Sequence, residues 1–302
     1  MRVYPFFHLI RGFNLVLVMI MQIIMYYGYI IPQCSADSYH HLSFLLLLAG
    51  TALIAAGGNI FNDLRDIDAD KLHPRKKVIL TEEIKVSTAK KWYYITNLTA
   101  VAGGALIAWI TGTWTVLILF AGTIILLYLY SIRLKNTILI GNITIAFLCA
   151  LSVYIPVTLF HDCALSSHIA IDAPSPLIFY GYIINSFFIL LLREIIKDKE
   201  DAPSDQMTGI KTTGSLNYFQ TSLLVYGLII FLMMVNGYGI YLLFPFFSLI
   251  QILIGGVILF LPLIYMASIF PDQYKNHYFW RLSLILKIYI LLAAFLLLLW
   301  IW

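Results

Sequence analysis

One pattern recurs nine times along this chain: a run of roughly twenty apolar residues, the length an α-helix needs to cross a hydrocarbon core of about 30 Å. The runs fall at about 13–31, 42–61, 92–110, 114–130, 138–160, 177–196, 219–235, 246–270 and 282–302. Hydrophobic residues make up 61% of the 302 and charged residues only 11%, which excludes a soluble globular domain. The alternating pattern of a membrane β-barrel is absent. An all-α, polytopic membrane protein of about nine transmembrane helices is expected, folded as a single domain over residues 1–302. The first run is too long for a signal-peptide core and lacks a small-residue cleavage site, so it is read as a retained helix.

Placement of the basic residues is more informative than the net charge of +4. With nine helices, all nineteen Lys and Arg residues fall on the side of the N-terminus and the even-to-odd connections, counting helix ends with their loops. Opposite loops such as 32–41 and 161–176 contain none. The positive-inside rule then expects a cytoplasmic N-terminus and an outside C-terminus, as in a bacterial-type inner membrane, with no nucleic-acid partner. Of the three cysteines, Cys149 lies in a helix, while Cys34 and Cys163 fall in outside loops and pair only if the fold brings them together.

Two segments on the basic side interrupt the apolar pattern. "NDLRDIDAD" follows the second run, and "REIIKDKEDAPSDQ" closes the sixth. Together they hold nine of the fifteen acidic residues. At 100° per residue, Asn62, Asp66 and Asp70 lie within an 80° arc and Asp63 lies 20° beyond it, whereas Asp68 points about 160° away from Asp70. Asp198, Asp201 and Asp205 repeat the design, although Pro203 predicts that the helix ends there and leaves Asp205 on a turn. Both segments return to one membrane face and can meet over one cavity. Solvated helix ends would account for either set alone. Two same-sided sets of one period favour a site instead.

Oxygen ligands without His or Cys suit hard cations, above all Mg²⁺, which takes a few carboxylates with waters and substrate phosphate. Candidate cations to complete a diphosphate clamp are Arg133, Lys135, Arg75 to Lys77, Arg193 and Lys211, each of which is equally an ordinary positive-inside anchor.

The stretch "GGNIFNDLRDIDADKLHPR" resembles the first aspartate-rich motif, N-D-x-x-D-x-x-x-D, of the UbiA superfamily of intramembrane prenyltransferases. "REIIKDKEDAPSDQMTGIKT" resembles the second, D-x-x-D-x-x-x-D followed by G-x-x-T, and "LYSIRLKNTILIGN" resembles the connection between helices 4 and 5. The resemblance implies a helical bundle around a central cavity. It also implies Mg²⁺ held by Asn62, Asp63, Asp66, Asp70, Asp198, Asp201 and Asp205, with Asp66, Asp70, Asp201 and Asp205 catalytic. Asn62, Tyr130, Arg133, Lys135 and Lys211 would bind the prenyl diphosphate. The chain departs from the family at "HPRKKVILTEE", where a proline-rich R-P-I-P-S-G run is usual, and at "APSD", which replaces E-G-D.

"DIDADK" and "REIIKDKED" resemble the branch that prenylates a glycerol-phosphate prenyl ether, whose phosphate the run Arg75, Lys76 and Lys77 could hold. An aromatic acceptor of quinone biosynthesis, 4-hydroxybenzoate or dihydroxynaphthoate, is the alternative. A cation-coupled transporter is the alternative of another class.

Overall fold

The computed structural model describes residues 3–32, 34, 37–72, 79–160, 174–275 and 278–301; the side chains of residues 3, 69–70, 72, 160, 174–176, 204, 208 and 301 stand outside that description. Among these residues, nine helices are long and apolar enough to cross a membrane. They are α1 (Gly12–Ile23, continued by a π-helical turn at Ile24–Ile30), α2 (Ser38–Leu72), α3 (Val86–Thr111), α4 (Thr115–Ile132) and α5 (Ile140–Tyr154). The remaining four are α6 (Pro174–Thr208), α7 (Tyr218–Leu243), α8 (Leu249–Lys275) and α9 (Phe279–Ile301). The protein is therefore a multi-pass membrane protein, as its apolar runs require.

Helices α2 and α6 each have 35 residues, about 52 Å at 1.5 Å per residue. A hydrocarbon core of about 30 Å cannot contain that length, so one end of each stands clear of it. The overhanging ends carry the two acidic segments, which is how a membrane helix can finish in so much negative charge. The second apolar run, expected at 42–61, ends only where hydropathy drops; the helix itself continues because Asn62 to Leu72 keep helical geometry after the side chains turn polar.

The expected break at Pro203 does not occur. Pro203 is exposed, so its ring meets solvent, and α6 continues to Thr208 with Asp205 on the helix. The stop comes at Gly209, whose φ of +70° suits glycine, and the Ile210 N–H donates to the Asp205 carbonyl at 3.0 Å.

Helix α2 packs along α3 and α4, α6 packs along α5, α7 and α9, and α1 bridges the halves by touching α2, α5 and, through its π-helical turn, α9. One apolar cluster lies mainly among α1 to α5, including Tyr26, Phe44, Ile107 and Phe120. The other joins α6 to α9 through Ile195, Leu232, Leu263 and Leu286. A buried polar triad fastens the second half. Asn185 donates to Asn236 at 2.6 Å, Asn236 donates to the Tyr289 hydroxyl at 3.2 Å, and that hydroxyl donates to Asn185 at 3.1 Å. Cys34 is disulfide-bonded and Cys149 is free; Cys163 lies outside the described residues.

Candidate functional site

Between the two halves lies a cavity of about 500 Å³. Its mouth is polar and its deeper wall is apolar. Arg11, Asn59, Asn62 and Tyr130 line one side near the mouth; Arg193, Glu194, Lys197 and Asp201 line the facing side, with Lys287 from α9. Leu148, Val153, Ile189 and Ala293 form part of the apolar wall.

The first acidic set is held by the protein's own donors. Lys135, on the α4–α5 connection, donates to one oxygen of Asp66, and Asn62 Nδ2 donates to the other at 2.9 Å. Arg11 pairs with Asp63 at 3.3 Å. The Asn62 Oδ1 atom is buried without a hydrogen-bond partner in the described structure. Asp68 is 98% exposed and pairs only loosely with Lys71, as its opposite helical face requires. Asp68→Asn is expected to change turnover by less than about twofold in a steady-state assay, because an exposed pair contributes little; a complete loss would show that this helix face has been misassigned.

The second set is oriented from behind. The Asn142 side chain on α5 donates to Asp198 at 2.9 Å, and the Thr213 hydroxyl donates to the Asn142 Oδ1 atom at 2.5 Å. The Leu139 N–H donates in turn to Thr213 at 2.9 Å. Lys199 is buried and donates to the carbonyls of Gly214 and Leu216, which binds the α6–α7 loop to the same helix. The Asp205 carboxyl is raised above the usual carboxylate range by burial. Donation from Thr212 opposes the rise, the Asp201 and Asp66 carboxylates add to it, and Lys197 opposes it. Asp66, Asp201 and Asp205 therefore share one electrostatic neighbourhood, although two lie on α6 and one on α2.

The structure thus gathers Asn62, Tyr130 and Asp201 on the cavity wall and Asp66 with Lys135 beside Asn62. Arg133 and Lys211 are exposed and do not line the cavity. Asp70 lies on α2 with its side chain outside the described structure, and Arg75 to Lys77 lie outside the described residues altogether. Sequence reasoning did not single out Arg11, Asn142, Lys197 or Lys287. The signals were available: Arg193, Lys197 and Asp201 repeat at i, i+4 and i+8, and Lys287 is a lone charge in the last apolar run.

Among the described residues, no three Asp, Glu, His or Cys side chains are gathered closely enough to cage an ion alone. Mg²⁺ seldom uses such a cage; it is held by one or two carboxylates with waters and substrate phosphate. An oxygen-only donor set with the unpartnered Asn62 oxygen beside Asp66 fits that requirement.

Residues 23–291 match the UbiA prenyltransferase family. A relative from Methanobrevibacter smithii, digeranylgeranylglyceryl phosphate synthase, is 28% identical over 211 residues, 69% of this chain and 67% of the relative. A solved structure of a digeranylgeranylglyceryl phosphate synthase superposes with a TM-score of 0.70 at 20% identity, covering 99% of this chain and 98% of that one. A UbiA homologue from Archaeoglobus fulgidus, bound to GPP and Mg²⁺, gives 0.66 at 17% identity over 97% and 99%. These superpositions establish a common fold, and with the family match they carry the conclusion: the chain belongs to the UbiA prenyltransferase family and is a membrane enzyme of prenyl transfer.

Proposed function

We propose that the protein transfers a prenyl group from a prenyl diphosphate to the hydroxyl of a glycerol-phosphate prenyl ether, and does so with Mg²⁺. The observation that carries the reaction class is the meeting of both acidic segments at the mouth of one cavity whose deeper wall is apolar. The acceptor is supported by the digeranylgeranylglyceryl phosphate synthases among its relatives.

Asn62, Asp63, Asp66 and Asp70 from α2 and Asp198, Asp201 and Asp205 from α6 would hold Mg²⁺ and through it the diphosphate. When bound, Mg²⁺ supplies Lewis-acid stabilisation of negative charge on the departing diphosphate. Arg11 on the cavity wall and Lys135, held beside it through Asp66 and Asn62, can turn from their aspartates toward diphosphate oxygens and add charge stabilisation where it develops. Tyr130, facing the cavity, can donate a hydrogen bond to the same oxygens. As the allylic C–O bond breaks, its electron pair leaves with the diphosphate; the acceptor oxygen then bonds to the allylic carbon and its proton passes to an oxygen of the departing diphosphate. The apolar wall holds the isoprenoid and excludes water, which would otherwise capture the cation. These parts come from α1 and the residue before it, α2, α4, the α4–α5 connection, α5, α6 and α9, so one domain, residues 1–302, would form the site.

Pyrophosphate release should require a divalent metal, a long-chain prenyl diphosphate and the phosphorylated ether together. Product from 4-hydroxybenzoate or dihydroxynaphthoate, with none from the ether, would assign the protein to the quinone branch instead.

The acidic ends and basic connections would face the cytoplasm. In intact cells, a cysteine at Thr113 should react with an impermeant thiol reagent and one at Met207 should not; both residues are exposed, at opposite ends of the bundle. The reverse labelling pattern would invert this orientation.

A further inference from the structure

Two of the cations on the cavity wall are not engaged in ion pairs among the described residues. Arg11 and Lys135 are neutralised by Asp63 and Asp66. On the facing wall, Arg193 pairs with Glu194, but Lys197 and Lys287 have no carboxylate within ion-pair distance among the described residues. The three cations line one cavity, Arg193 and Lys197 from α6 and Lys287 from α9; Glu200 acts on all three at longer range, and Asp198 and Asp205 act on Lys197. Cations held together on the wall of a membrane cavity are unfavourable without an anion between them, so an anionic partner is called for.

Spacing limits what that partner is. Arg193, Lys197 and Asp201 form one stripe on α6, with Lys197 about 6 Å and Arg193 about 12 Å below Asp201 at 1.5 Å per residue. A diphosphate held at the aspartates places its allylic carbon near the mouth. An acceptor whose hydroxyl reaches that carbon carries its phosphate only a few bonds further on, one helical turn below Asp201. We propose that Arg193, Lys197 and Lys287 form a second anion subsite that receives the phosphate of the acceptor, separate from the aspartate-bound diphosphate. The inference rests on the glycerol-phosphate reading given above. It transfers to the cavity wall the role that the sequence alone suggests for Arg75, Lys76 and Lys77.

The subsite acts on specificity. It distinguishes a phosphorylated ether from the same ether lacking phosphate, and it fixes the acceptor so that its hydroxyl is directed at the allylic carbon.

The double variant Lys197→Gln, Lys287→Gln, purified in detergent, tests it in two ways. In the transfer assay, the KM for the phosphorylated ether should rise at least about tenfold, as expected for losing a charge-assisted contact, while the KM for the prenyl diphosphate stays nearly unchanged. The preference for phosphorylated over unphosphorylated ether should fall by a similar factor. Lys197→Arg, Lys287→Arg should retain that preference, which separates lost charge from lost folding. In chelator-containing buffer, where the aspartates cannot recruit phosphate through metal, glycerol 1-phosphate should raise the melting temperature of the wild type and not of the glutamine variant. A parallel rise in both KM values would assign these lysines to the donor diphosphate and overturn the proposal, as would equal melting shifts or none. Wild-type protein that transfers to neither ether but still shows the lysine-dependent melting shift would refute the acceptor reading and leave the anion subsite standing.

Discussion

Asp66→Asn and Asp201→Ala are each expected to lower prenyl transfer at least about a hundredfold while the protein remains in the membrane at normal abundance, the usual loss when one preorganised stabiliser of a charged transition state is removed. The two residues lie on different helices, Asp201 on the cavity wall and Asp66 beside the wall residue Asn62. Asp201 lines the wall directly, and Asp66 presents its carboxylate between Lys135 and Asn62. Asparagine is the better replacement at position 66, because its carbonyl oxygen still accepts from Lys135 and its NH2 can donate to the Asn62 amide oxygen once that amide turns over, whereas alanine would leave the Lys135 ammonium without its acceptor. Turnover is to be measured over a Mg²⁺ titration. Near-normal rates at saturating metal in either variant would remove that residue from the site.

The second large effect is expected at Gly214. A Cβ there would stand 2.3 Å from the Asp198 carbonyl oxygen and 3.1 Å from the Ala202 Cβ. The first contact is with backbone and cannot be relieved by a rotamer change, so Gly214→Ala must push the α6–α7 loop away from α6. About 1 to 3 kcal/mol of destabilisation is expected, as in other overpacked sites, together with a severe loss of transfer. Activity suffers because the same loop carries Thr213, which orients Asn142 and through it Asp198. Gly227→Ala, whose Cβ would meet nothing within 4 Å, is the control and should melt with the wild type. Thermal melting in detergent separates the two effects. Thr213→Val, which keeps the shape and removes the hydroxyl, should lower activity with much less loss of stability.

The number and lengths of the apolar runs specify the bundle, because a membrane of fixed thickness admits few alternatives. The acidic stripes are equally legible, since Asn62 and Asp66 meet across one helical turn as the periodicity requires. The helix ends were harder to read. Hydropathy reports where side chains become polar, and α2 continues for eleven residues past the expected end at residue 61. At Pro203 a local rule was overridden, because an exposed ring costs one hydrogen bond while the following turn finds its cap at Gly209. The partners across the cavity could not be read locally at all. Asn142 and Asp198 are 56 residues apart, and Lys135 and Asp66 are 69 apart. Their meeting follows from which helices are neighbours, and one chain's periodicity does not encode that.

The Lys135–Asp66 and Arg11–Asp63 contacts also bear on how this enzyme is handled and kept. Some small metal-binding domains, zinc fingers among them, fold only with their metal and unfold in chelator. Here Arg11 and Lys135 balance part of the negative charge, so the bundle is expected to hold together without a divalent ion. Extraction and storage in chelator should therefore give a folded protein that regains full activity on adding Mg²⁺, and its melting point without metal should stay close to that with Mg²⁺ near its dissociation constant. On this reading, a newly inserted chain would be expected to fold before any divalent ion binds.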